Sequence, residues 1–205
     1  MDKHILITVG RQFGSGGKSV ATALGEKLGI PVYDNELLDK AAEQSGLNPE
    51  LFTRSDEKKR VLSLGSIFGS NRYSGGGSVT AMNDSELFRY QSDTIRDIAT
   101  NGSAIFVGRA SDYVLRDMES LDVFISAPME NRIDRVAERL GMNRDDAEYL
   151  IRKRDKGRKD FYDFLTVGDH WGNASNYDLC IDSSILGIEK TAEFIIEFGR
   201  SAGLI

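Results

Sequence analysis

Several things are scarce in this chain, and each shortage excludes something. There is one cysteine, Cys180, in 205 residues, so no internal disulfide can form and a reducing compartment fits. Cys180 lies in the apolar run from Tyr177 to Ile181 and is expected to be a buried strand residue, not a nucleophile. The two histidines, His4 and His170, stand alone, and without a cysteine pair they give no metal-ligand spacing. No run of about 18 apolar residues occurs, so no membrane span is expected. Charges at Asp2 and Lys3 precede a strand-like run, not a signal-peptide core, and the expected address is cytoplasmic. No G-x-S-x-G elbow is present, which leaves acyl-transfer hydrolysis without support. Positive charge is in deficit: 26 Lys and Arg against 32 Asp and Glu give a net charge of −6. That argues against a nucleic-acid polymer as partner, yet leaves room for a local basic pocket for a phosphorylated ligand. Length and composition fit one soluble domain, with or without an insertion.

Glycine, by contrast, is concentrated where it can do chemistry. An apolar run, Ile5 to Val9, reads as a buried strand, and Gly14-Ser15-Gly16-Gly17-Lys18-Ser19 follows it closely. A helical pattern then continues to Leu28, with Val20, Leu24 and Leu28 on one face. Strand, glycine loop and helix form the layout of a phosphate-binding loop. Glycines let backbone N–H groups turn toward a phosphate, and the helix aims its positive end at the same anion. Lys18 is then the cation for β- and γ-phosphates, and the Ser19 hydroxyl a Mg²⁺ ligand. Aligned on Lys18-Ser19, the pattern G-x-x-x-x-G-K-[ST] places its first glycine at Gln12; the nearest earlier glycine is Gly10.

Further along, short apolar runs alternate with helical patterns. Pro31-Val32-Tyr33 is a short strand ending at Asp34, and a helix is expected over 35–44. A charged cluster covers 54–60, and Gly and Ser dominate 63–78, which reads as a mobile loop. A helix is expected from about Asp84 until Asn101-Gly102 stops it. Ala104–Val107 and Leu121–Ser126 read as strands, with a short helix from Ala110 to Arg116 between them. Pro128 suits the first turn of a helix that Gly141 closes. Asn143, with Asp145 and Asp146, begins another helix. That helix leads into the dense charges of 152–160, read as a loop or helix end. Tyr177–Ile181 is the last strand and Ile188–Arg200 the last helix. Strands alternating with helices imply an α/β fold with a parallel sheet covered on both faces.

Ligands of such sheets bind at the carboxyl ends of the strands. The glycine loop follows the first strand, Asp34 the second and Arg109 the third. A phosphate acceptor would need cations there, and guanidinium forks suit phosphate oxygens; Arg109, Arg154 and Arg158 are candidates. Asp34 is a ligand for a metal-bound water or sugar hydroxyl, or else a helix N-cap. Arg109 has a surface ion pair as its alternative, and the 152–159 cluster a solvated helix end. Arg132, Arg135 and Arg139 share one helical face, where solvation or pairing with Asp134 and Glu138 is expected.

These stretches resemble the cytidylate kinase-like family, a branch of the P-loop nucleoside monophosphate kinases. The likeness rests on Gly10 to Ser19, Pro31 to Asp34, Val107 to Tyr113, Asp155 to Arg158 and Tyr177 to Leu179, and runs from about residue 3 to 200. It implies a three-layer P-loop kinase fold with a five-stranded parallel sheet. By the same resemblance 35–101 is an acceptor-binding insertion and 152–160 a lid. It gives Arg109, Asp155 and Arg158 acceptor-binding roles. The implied reaction is phosphoryl transfer from ATP, with Mg²⁺, to CMP or dCMP. A kinase for another small acceptor and a non-catalytic ATP-binding regulatory module are the alternatives. In the latter, 63–78 would be a partner-binding loop. Nothing in the sequence sets an oligomeric state.

Overall fold

The apolar runs pair into one parallel sheet in the computed structural model, which describes residues 4–34, 77–166 and 168–205, with side chains from 88 onward in the second stretch. The strands are β1 (Leu6–Arg11), β2 (Val32–Tyr33), β3 (Ala104–Val107), β4 (Leu121–Ser126) and β5 (Leu179–Asp182). Their order is β2-β3-β1-β4-β5 and every pairing is parallel. Val9 stands opposite Val107 on one side and Val123 on the other. A central strand covered on both faces needs apolar residues at consecutive positions, not alternate ones. Leu6, Ile7, Thr8 and Val9 are accordingly all buried, as are Ala104 to Val107.

The helices are α1 (Gly17–Leu28), α2 (Gly77–Asn101), α3 (Ser111–Val114), α4 (Met129–Leu140), α5 (Arg144–Leu165) and α6 (Ser183–Ser201). Val20 and Leu24 of α1 join Ile195 and Ile196 of α6 and the strand residues Ile7, Val9, Ile105 and Val123 in the main core. A smaller cluster, Ile133, Val136, Ala147 and Ile151, joins α4 to α5, with Phe13 packed against it. The chain divides into two compact units, residues 1–35 with 95–205, and residues 36–94. The first contains the whole sheet. Of the second, the described residues are 77–94, the amino-terminal part of α2. The expected helix over 35–44, the charged cluster at 54–60 and most of the Gly/Ser segment lie outside the described residues.

Where structure and sequence reading differ, the causes are local. Gly77 and Ser78 open α2, seven residues before the expected start at Asp84. The charges of 152–160 lie inside α5, a continuous helix. Pairs one turn apart hold that helix: Glu148 with Arg152 at 2.6 Å, Lys156 with Asp160 at 2.5 Å, and Lys159 with Asp163. Gly157 costs about 1 kcal/mol against alanine in such a setting and does not break it. Pro128 is the N-cap of α4, not a first-turn residue. Asn143 caps α5 as expected, its side chain accepting from the Asp146 N–H at 2.8 Å. The last helix starts at Ser183 and is interrupted at Gly187. Cys180 is exposed, because β5 is an edge strand.

Candidate functional site

The strand ends bring the glycine loop, Asp34 and Arg109 to one edge. The loop leaves β1 at Arg11 and is first tied down by Gln12. The Gln12 N–H donates to Ile125 O at 3.0 Å, and Gln12 Oε1 accepts from the Ala127 N–H at 3.2 Å. Gln12 O accepts from the Ser15 N–H at 3.3 Å and from Ser15 Oγ at 2.9 Å. Gly14 and Gly16 both take left-handed backbone, φ 81° and 82°, which costs side-chain-bearing residues about 1–2 kcal/mol. Gly16 is the N-cap of α1 and offers no side chain, so the first turn receives no side-chain cap. A helix that opens on an uncapped, glycine-lined turn is suited to an anion. Lys18 and Ser19 are exposed on that turn. Lys18 Nζ stands 2.6 Å from Asp34 Oδ2, with the lysine side chain 70% exposed and the aspartate 17%.

The loop's carbonyls are held from the other side by α4. Arg132 Nη1 donates to Phe13 O at 3.3 Å and to Asp155 Oδ2 at 2.5 Å. The Phe13 N–H donates to Asp155 Oδ1 at 2.7 Å. One buried ion pair thus clamps both polar groups of Phe13. Arg135 Nη1 donates to Ser15 O at 3.0 Å and to Ser183 Oγ at 3.2 Å. Ser183 Oγ also donates to Ser15 O. Arg139 and Arg158 flank the Phe13 ring, 5.4 and 5.5 Å from its centroid. The surface reading of Arg132 and Arg135 is therefore corrected: Arg132 is buried and both serve the loop. Asp134 instead pairs with Arg144, as does Glu130. The three arginines on one face were visible in the sequence; which element that face covers was not.

Three arginines from three elements meet at the strand ends. Arg158 of α5 donates from Nη1 to Arg11 O at 2.9 Å. The Arg11 guanidinium lies against Gly108, so closely that a Cβ there would collide with Nη1. Burial, then the charges of Arg158 and Arg109, push Arg11 down to about 9, while Asp34 acts the other way. Arg158 is lowered too, by burial first and then by Arg154, with Asp155 opposing. Arg154 itself is exposed. Gly108, Arg109 and Ala110 all have positive φ, 76°, 61° and 51°, and Arg109 Cζ lies 5.9 Å over the Phe161 ring. For Arg109 and Ala110 such backbone costs about 1–3 kcal/mol each, and strain of this kind clusters at functional sites. Arg11 was not among the sequence candidates. Its signal was that an arginine ends an otherwise apolar buried strand.

Behind the arginines, Tyr162 OH donates to Asp112 Oδ2 at 2.6 Å. Burial raises the Asp112 carboxyl to about 6, against the opposing effect of the tyrosine bond. Its folded value lies above its unfolded value, so its contribution is full below about pH 4 and is lost as pH rises through about 6. Asp112→Asn, which still accepts from Tyr162, is expected to remove that loss. In urea titrations from pH 4 to 8 the variant gains stability over the natural chain as pH rises. Parallel pH profiles would contradict this origin.

Among the described residues no group of three His, Cys, Asp or Glu side chains is placed to hold a metal, and no helix is long and apolar enough to cross a membrane.

The model of the cytidylate kinase-like family matches residues 6–185. A cytidylate kinase of Methanopyrus kandleri is 27% identical over 197 residues, covering 91% of this chain and 89% of its own. One from Aeropyrum pernix is 26% identical over 196 residues, covering 93% and 96%. A crystal structure of an uncharacterized protein from Eubacterium ventriosum superposes with a TM-score of 0.71 at 27% identity, covering 95% of this chain and 97% of that one. Shikimate kinase from Acinetobacter baumannii, solved with shikimate, gives 0.54 at 13% identity, covering 100% and 97%, and shares the fold. With its five-stranded parallel sheet, its glycine loop and a family match over most of its length, the chain belongs to the cytidylate kinase-like family.

Proposed function

We propose that this protein is a nucleotide kinase that transfers the γ-phosphoryl group of ATP to a nucleoside monophosphate, CMP or dCMP foremost. The observation that carries the reading is that two sets of groups suited to anions lie at one strand edge. One is the glycine loop with Lys18; the other is the arginine group reached by Arg109 and Arg158.

In this mechanism the backbone of Gly14, Ser15, Gly16, Gly17, Lys18 and Ser19 holds the donor phosphates. Lys18 exchanges Asp34 for the β- and γ-phosphate oxygens, and Asp34 becomes available to the acceptor. Arg109 and Arg158 grip the acceptor phosphate, with Arg154 at the rim. Asp155 serves the acceptor side indirectly, by fixing the loop through Phe13 and Arg132. An acceptor phosphate oxygen attacks the γ-phosphorus as its bond to the β-phosphate oxygen breaks, and ADP leaves with that electron pair. Catalysis of this kind rests on positioning and on neutralising charge. The exposed Ser19 hydroxyl and the Asp34 carboxylate suit Mg²⁺, which binds through one or two protein oxygens plus substrate phosphates. When bound, it neutralises phosphate charge. The segment 35–101 is assigned to acceptor recognition. The 152–160 stretch is assigned to a lid that excludes water, so that ATP is not hydrolysed. The proposed location is the cytoplasm.

Steady-state ADP production with a panel of nucleoside monophosphates tests the reading. ADP formation that rises and saturates with CMP or dCMP supports it. Saturation with a different acceptor keeps the kinase and changes its substrate. ATP binding without acceptor-dependent ADP formation contradicts the kinase reading and leaves an ATP-binding regulatory module.

A further inference from the structure

The loop departs from the phosphate-loop pattern at two places, and the structure puts those two places in contact. The last left-handed residue of the loop is Gly16, and α1 begins at Gly17. Taken from this geometry, the second glycine of G-x-x-x-x-G-K-[ST] is Gly16. Its first glycine then falls on Arg11, not Gln12, and its lysine falls on Gly17. Lys18 stands one residue further on, about 100° around the helix, where it meets Asp34. So a long cation occupies the position of a glycine, and a glycine occupies the position of a long cation.

These exchanges fit each other sterically. A Cβ on Gly17 would stand 2.5 Å from Arg11 Cβ, 3.0 Å from Arg11 Cγ and 3.4 Å from Ile125 Cβ. The obstacle is the root of the Arg11 side chain, not its flexible end, so rotation cannot relieve it. Any side chain at 17 and the present course of Arg11 are mutually exclusive. The stem that fills the space beside Gly17 carries its guanidinium to Gly108, next to Arg109 and Arg158. Asp34, the acid facing Arg11, is paired with Lys18, and Asp155 is shared between Arg132 at 2.5 Å and Arg158 at 4.0 Å. Among the described residues Arg11 thus faces the charges of Arg158 and Arg109 against acids already engaged elsewhere, and an anion with several oxygens would balance it.

We propose that Arg11 is a second phosphate cation beside Lys18, set where the pattern's lysine would reach, and that position 17 is glycine to admit the Arg11 stem. The guanidinium then bears on the transferred phosphoryl group, between the donor loop and the acceptor arginines Arg109 and Arg158. This rests on the phosphate-site reading above and adds a residue to it.

Calorimetric titration with ATP and with inorganic tripolyphosphate, in the absence of any acceptor, tests the proposal. Arg11→Met keeps the stem and removes the charge; binding is expected to weaken about 10- to 100-fold, with Arg11→Lys recovering part of the loss. The decisive comparison is Arg11→Gly against the double variant Arg11→Gly/Gly17→Lys, which restores the pattern. The double variant is expected to bind at least about tenfold tighter than Arg11→Gly alone. Gly17→Lys in the natural background, where Arg11 still fills the space, is expected to bind worse than the natural chain. Thermal unfolding of each variant reports folding separately. Unchanged binding in Arg11→Met, or a double variant no better than Arg11→Gly, overturns the proposal. If Arg11 governs binding while no acceptor is turned over, the kinase reading fails and this one stands. If the natural chain binds neither probe, both fail.

Discussion

Asp155→Ala is expected to destabilise the fold by about 3–5 kcal/mol, the usual cost of removing one partner from a buried ion pair. Arg132 is 6% exposed and Asp155 17%, so the guanidinium left behind is neither hydrated nor neutralised. The same substitution removes the acceptor of the Phe13 N–H and lets go of the loop where α5 holds it. For a chain of this size the melting temperature should fall by on the order of 10 °C. Asp155→Asn can still accept from Phe13 but cannot balance Arg132, so it should fall between the two. Calorimetric melting of both variants checks this. A melting temperature within about 2 °C of the natural chain for Asp155→Ala, a shift that corresponds to under 1 kcal/mol, would mean that the Arg132–Asp155 pair does not hold the loop.

Lys18→Ala should behave in the opposite way, with a large loss of turnover and little change in stability. Lys18 is 70% exposed, and exposed ion pairs are worth about 0–1 kcal/mol. Removing one donor aimed at charge that develops during transfer costs about 10²- to 10³-fold in kcat. Loss of turnover at an unchanged melting temperature therefore separates a phosphate ligand from a structural ion pair. Full activity in Lys18→Ala would show that Lys18 is not a phosphate ligand.

Sequence and structure agree where one physical effect dominates. β3 and β4 begin and end where their apolar runs do, because central parallel strands are buried on both faces. α1 and the Asn143 cap were legible from periodicity and from cap chemistry. The misses come from effects that composition averages away. Gly77 and Ser78 look like loop and lie in a helix. The 152–160 charges look solvated but are laid out at one-turn spacing, and that spacing makes them helical. Cys180 looked buried because its run is apolar; its strand lies at the edge. The candidate site was half legible. The glycine loop, Asp34, Arg109 and Arg158 were visible as types at strand ends. Arg132, Arg135 and Arg11 depend on contacts 100 residues or more along the chain, which no local pattern encodes.

If the loop from Gln12 to Ser19 is the donor-phosphate site, ADP titrated into isotopically labelled protein should perturb the backbone amide resonances of that loop. The amides of Gly14 to Ser19 are expected to move first and furthest, with Lys18→Ala weakening the response. Saturable ADP binding that moves resonances elsewhere and leaves those of Gly14 to Ser19 in place would contradict that assignment.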